Sequence, residues 1–146
     1  MKPIVWTCGY EQHETPDSLA EALQEAGIEL LVDVRELPLS RRQGFSKQAL
    51  SKVLEDLEIS YQSDRRLGNP KPYRDLYREG RQAEGEAGYL AHLRNGSTEA
   101  IKELARLVQG ARVCLLCFER DHATCHRSIL AEELRKELPR LRVKHL

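Results

Sequence analysis

The sequence predicts an α/β fold: a three-layer Rossmann-like domain with a mostly parallel sheet of about four to five strands. Short apolar runs alternate with stretches of helical periodicity in the order βαβαβ–αα–βαβ. Parallel neighbours need crossover connections of that kind. The most apolar run, residues 111–118 (ARVCLLCF), comes late in the chain and reads as a central strand.

Residues 3–8 (PIVWTC) read as a buried strand closed by Gly9. Thr15-Pro16-Asp17 opens a helix, with Thr15 as cap, Pro16 in the first turn and Asp17 at the positive end of the dipole. Leu19, Ala22, Leu23 and Ala26 fall at helical spacing, and Gly27 is the stop. Residues 28–34 (IELLVDV) form a second strand. Ser46 is expected to cap a helix through about Leu57, with Leu50, Val53, Leu54 and Leu57 on one face. Residues 59–62 suggest a third strand. The segment 64–81 carries two prolines, two glycines and six basic residues against three acidic ones. It is expected to be an irregular basic loop or lid, holding Tyr73, Leu76 and Tyr77. Helices are expected near 84–94, 97–108 and 125–138, and an edge strand at 141–145.

The 146 residues suit one α/β domain spanning 1–146. Twenty-three basic residues cancel twenty-three acidic ones. This balance argues against nonspecific coating of nucleic acid, which needs excess cationic charge. No apolar run approaches the ~20 residues that span a bilayer. The run Ile4-Val5-Trp6 is too short for a secretory signal. A cytoplasmic location is therefore expected, with Cys8, Cys114, Cys117 and Cys125 as free thiols, metal ligands or catalytic groups rather than a disulfide framework.

Ligands of such sheets bind along the carboxyl edge, so the residues ending the strands are the candidate site. The first strand delivers Thr7, Cys8, Gly9 and Tyr10. The second delivers Asp33 and Arg35, two residues apart and so on one face. They suit either a site or a satisfied ion pair under a loop. The run 111–118 and its continuation deliver Cys117 and Glu119. Cys125-His126-Arg127 then begins a helix, where unpaired N–H groups and the dipole favour a thiolate or a bound anion. An inert cysteine is the competing reading, and Cys114 reads as a small hydrophobe within its strand.

Cys117, His122, Cys125 and His126 offer four zinc-type donors. However, Cys114 and Cys117 lie three apart on a strand and face opposite sides, so no metal is expected. Arg35, Arg41, Arg42 and Lys47 form a basic cluster suited to phosphate or carboxylate. Neither a G-x-G-x-x-G nor a Walker A sequence is present.

Several motifs occur together: T-C-G-Y, L-L-V-D-V-R-E-L-P-L-S-R-R, G-F-S-K-Q-A-L, R-L-G and L-L-C-F-E-R-D-H-A-T-C-H-R-S. Through them the chain resembles the bacterial and archaeal family called domain of unknown function 488. The resemblance implies a small Rossmann-type α/β domain. Its recurring polar positions correspond here to Gly9, Asp33, Arg35, Pro38, Ser40, Arg41, Phe45, Cys117, Glu119, Cys125, His126 and Arg127. Cys8 and Tyr10-Glu11 depart from the family pattern.

The expectation is thus an enzyme or ligand-binding domain for a small anionic, phosphorylated ligand, without cofactor. Gly9, Arg35, Ser40, Arg41, Cys117 and Arg127 are the candidate ligand-binding residues. Cys125 is the candidate nucleophile or redox thiol, His126 or Glu119 the proton shuttle, and Asp33 a further catalytic candidate. The alternatives are a nucleic-acid or protein-binding module using the same arginines, and a redox sensor built on Cys117 and Cys125. No membrane partner is expected.

Overall fold

A computed structural model describes residues 3–40, 42–118 and 126–146. Five strands form one all-parallel sheet: β1 (Ile4–Gly9), β2 (Leu30–Asp33), β3 (Ser60–Ser63), β4 (Val113–Cys117) and β5 (Arg142–His145). Their order across the sheet is β3-β2-β4-β1-β5. The run expected at the centre is there. β4 is buried at every residue, as a strand covered on both faces must be.

Alternation along the strands sends side chains to two separate cores. Trp6, Cys8, Leu31, Cys114 and Leu116 meet helices α1 (Pro16–Glu25) and α2 (Lys47–Asp56) through Leu19, Leu23, Leu50 and Leu54. Val5, Val32, Val113, Leu115 and Cys117 meet α4 (Gln82–Gly96), α5 (Thr98–Gly110) and α6 (Arg127–Glu137) on the other face. The layers are helix, sheet and helix, the Rossmann-like arrangement.

The caps follow the sequence in one case and depart from it in another. Thr15 Oγ1 accepts from Ser18 N at 3.1 Å and starts α1 as expected. Gly27 ends the turn after α1 at φ +71°, a left-handed conformation that glycine adopts without a Cβ penalty. Ser46 precedes α2, but its hydroxyl does not cap the helix. It accepts instead from Ser40 N at 3.0 Å, a residue the preceding loop folds back against it.

The segment 64–81 is not an irregular lid. It contains a 3-10 turn (Arg65–Leu67) and a helix, α3 (Lys71–Arg78), packed on α4. The packing depends on missing side chains in the partner. A Cβ on Gly88 would fall 2.2 Å from the Tyr73 ring, and one on Gly85 would fall 2.9 Å from the Tyr77 ring. The basic residues of this segment are largely neutralised. Arg66 meets Asp64 and Glu103, Arg74 meets Glu36, Lys71 and Arg78 share Asp75, and Arg81 meets Glu79 and Glu84.

No helix among the described residues is long and apolar enough to cross a membrane.

Candidate anion site at the carboxyl edge

The connections diverge at the carboxyl edge. β1 leads to α1 on one face, whereas its neighbour β4 leads to α6 on the other. Chains that leave adjacent parallel strands toward opposite faces open a crevice at the carboxyl edge. Gly9 and Cys117, paired in register, end the two strands there. Glu11 N donates to Phe118 O at 2.8 Å and ties the strand ends together just beyond.

On the α1–α2 face the edge is occupied by Asp33 and Arg35, which are 0 % and 6 % exposed. Arg35 Nε and Nη2 donate to the two Asp33 oxygens at 2.8 and 2.6 Å, and Nη1 donates to Phe45 O at 2.8 Å. The Tyr61 hydroxyl also donates to Asp33, and Arg35 N reaches the same carboxylate at 3.1 Å. Burial disfavours the Arg35 charge, but the bonds and field of Asp33 more than offset this, and its pKa is raised. Burial and the adjacent carboxylate likewise raise Tyr61. The Asp33 carboxylate thus accepts from a guanidinium, an N–H and a phenol, the bonding of a structural ion pair.

An aromatic ladder stands beside that pair. Tyr10 stacks on Phe45 at 4.7 Å and meets the edge of Phe118 at 5.2 Å. The Arg35 guanidinium lies 5.2 Å from the Tyr10 ring centre, and that of Arg42 lies 5.9 Å from Phe45. Arg42, counted by sequence among the anion-binding cluster, donates to the carbonyls of Tyr10, Glu11 and His13. It therefore fastens the turn after β1 to the loop after β2. Ser40 in that loop accepts from Arg42 N at 3.1 Å.

On the opposite face, Arg127 begins α6 and is 1 % exposed. Its Nη1 donates to Thr7 Oγ1 at 3.2 Å, and the same hydroxyl lies 2.5 Å from His145 Nδ1 at the end of β5. A buried guanidinium, a buried hydroxyl and an exposed imidazole are thereby linked across β1. The sequence pattern singled out Arg127 and Thr7 but missed His145. Period-two alternation on an edge strand in register with Thr7 was the available signal.

His126 lies 7 % exposed, with its ring edge against Tyr89 at 5.0 Å. Its Nε2 carries the proton, because the partner at 2.7 Å is the Val34 carbonyl, which only accepts. Burial drives its pKa down to about 4; the bond to Val34 opposes this and Arg127 adds to it. At neutral pH the ring is uncharged.

The cysteines divide. Cys8 and Cys114 are buried free thiols, with Cys114 Sγ 3.5 Å from Cys8 Sγ. Burial and the Cys8 contact push the Cys114 thiol up, so it packs as the small hydrophobe expected. Cys117 is disulfide-bonded, which corrects its expectation as a free thiol, metal ligand or catalytic group. Arg41, Glu119, His122 and Cys125 lie outside the described residues. Among the described residues, no three His, Cys, Asp or Glu side chains are grouped to hold a metal ion.

A family model for a domain of unknown function, DUF488, matches residues 15–134. The chain belongs to the DUF488 family. In this DUF488 domain the matched span contains β2 through most of α6 and thus Asp33, Arg35 and Arg127, while Thr7 and His145 lie outside it. No curated protein and no solved structure matches the chain.

Proposed function

We propose that the domain binds a small phosphorylated anion in the crevice between the carboxyl ends of β1 and β4. The observation that carries this reading is Arg127, a buried guanidinium at the first residue of α6 beside that crevice. A helix amino end and a guanidinium both favour an anion, and a desolvated charge acts through a low dielectric. Gly9, at the crevice floor, lets a ligand approach the backbone closely.

Cys125 precedes the N-cap His126 in sequence, and in the reduced protein we assign it the reactive thiol of the site, acting as nucleophile or redox group. Arg41, Ser40 and Glu119 complete the candidate set, Glu119 as proton carrier. His126 is neutral and hydrogen-bonded to Val34, and positions the start of α6. Asp33 and Arg35 support the same edge from the other face. The protein is a cytoplasmic enzyme or ligand-binding domain on this reading.

Calorimetric titration with inorganic phosphate and with ribose 5-phosphate tests it. Arg127→Met is expected to weaken binding by about 10- to 100-fold, the worth of a charge-assisted hydrogen bond. Arg106→Met, on the exposed surface of α5, leaves affinity unchanged. No binding by the unaltered protein, or equal loss in both variants, defeats the reading. Separately, alkylation of Cys125 in reduced protein is expected to titrate below the ~8.5 of an ordinary thiol; titration at that value removes its catalytic role.

A further inference from the structure

The two outer strands of the sheet are built differently. β5 carries Arg142 and Lys144, and cationic side chains of this kind keep an open edge from pairing. β3 reads Ser-Tyr-Gln-Ser, with no charge and no proline. Its register against β2 runs without a bulge from Leu30↔Ser60 to Asp33↔Ser63. Ser60 and Gln62 are exposed, so that face of the strand stands open to solvent. β3 is a regular edge with none of the usual guards.

The hydrogen bonds show which of its backbone groups face outward. Ser60 N donates to Glu29 O at 2.9 Å and Asp64 N donates to Asp33 O at 3.0 Å, both toward the β2 side. Alternation along a parallel strand turns Gln62 the same way. It leaves the N–H and C=O of Tyr61 and Ser63 pointing away from the sheet. An antiparallel copy of β3 satisfies these groups best in one register. With Tyr61 of each copy opposite Ser63 of the other, every outward group of both strands is used, and Gln62 meets its own counterpart on the two-fold axis. Registers that set Tyr61 or Ser63 opposite itself leave outward groups unpaired.

Charge selects the same orientation. Exposed Glu55, Asp56 and Glu58 precede β3, and exposed Arg65 and Arg66 follow it. Arg66 is matched within its own chain by Asp64 and Glu103, which leaves the Arg65 charge for a neighbour. An antiparallel pair sets the acidic approach of each copy near Arg65 of the other, whereas a parallel pair sets like charges together. A two-fold contact also closes on itself, so it stops at a dimer and does not grow into a fibre.

We propose that β3 pairs with β3 of a second copy of this chain, antiparallel and centred on Gln62, so that two domains share one continuous sheet. This contact is separate from the anion site between β1 and β4 and stands or falls without it.

Sedimentation equilibrium over a concentration series tests it. A short edge buries little area, so the expected dissociation constant is about 10–100 µM. Ser63→Pro removes an outward donor while keeping the ladder to β2, and is expected to give a monomer with an unchanged circular dichroism spectrum. Gln62→Lys and Gln62→Glu each place like charges opposite one another and are expected to weaken the dimer. Mixed together, these two variants are expected to associate about fivefold more tightly than either alone. A monomer at every concentration overturns the proposal, whether the edge is left to water or to a strand of another protein. So does a dimer that Ser63→Pro leaves intact, because its interface then lies elsewhere. Absence of any gain on mixing the Gln62 variants overturns the register, and this arm decides alone if Ser63→Pro disturbs the fold.

Discussion

Arg35 and Arg127 are both buried guanidinium groups at the carboxyl edge of one sheet, on opposite faces of it. Arg35 is met two residues away by a carboxylate in forked geometry, and a backbone carbonyl takes its third group. Arg127 donates across β1 to a hydroxyl that also touches an exposed histidine. The contrast teaches that a cation at a sheet edge is not by itself a binding group. Where the carboxylate comes from the same strand end, the charge holds a loop. Where the buried guanidinium donates instead to a buried hydroxyl, it ties the start of a helix to the strand beneath it.

The sharpest test of that difference is removal of the carboxylate. Asp33→Ala leaves the Arg35 charge buried beside Tyr10 and is expected to cost about 3–5 kcal/mol in urea unfolding. The double variant Asp33→Leu with Arg35→Met, which removes both charges, is expected to recover most of this. If Asp33→Ala costs under about 1 kcal/mol, the pair is not structural and the comparison fails.

Acid probes the other face. His126 has a folded pKa of about 4 against an ordinary 6.5, so the unfolded chain takes up the proton first as pH falls. Stability is therefore complete above pH 6.5 and lost between 6.5 and 4, by up to about 3 kcal/mol. His13, also lowered by burial, contributes in the same direction. His126→Gln keeps a donor for Val34 and is expected to flatten most of the slope; an unchanged slope assigns it elsewhere.

Thr7→Val removes the hydroxyl that accepts from Arg127 and contacts His145, without changing shape greatly. The expected cost is about 2 kcal/mol, the loss of one buried hydrogen bond from a charged donor. Tyr61→Phe is the mildest change, deleting one of several bonds to Asp33, and about 1 kcal/mol is expected. A larger loss for Tyr61→Phe than for Thr7→Val reverses the ranking of the two faces.

Much of the fold was legible because it is local. Apolar runs of four to six residues, a Thr-Pro-Asp cap and a terminating glycine located five strands and five of the six helices. α3 escaped although Tyr73, Leu76 and Tyr77 sit at helical spacing. What makes it a packed helix is Gly85 and Gly88 in the next element, a signal carried by what the partner lacks. The basic character of 64–81 misled for the same reason: Glu36 and Glu103, which neutralise Arg74 and Arg66, are about thirty to forty residues away. Ser46 was misread as a side-chain cap because a loop brings Ser40 to it. Within the site, the Asp33–Arg35 pairing followed from two-residue spacing. The Thr7–Arg127–His145 linkage required the register of β1 with β5.

The strand order sets the sequence in which these parts can come together. Both neighbours of β1 in the sheet, β4 and β5, belong to the last third of the chain. β1 therefore finds no hydrogen-bonded partner until more than a hundred residues have followed it. During synthesis β2 and β3 can pair early, but the first strand must wait, and Thr7 and Gly9 wait with it. Closing so long a loop before any contact rewards it slows folding. The crevice between β1 and β4 is made by the last strands to arrive, and a chain stopped short of β4 holds none of it.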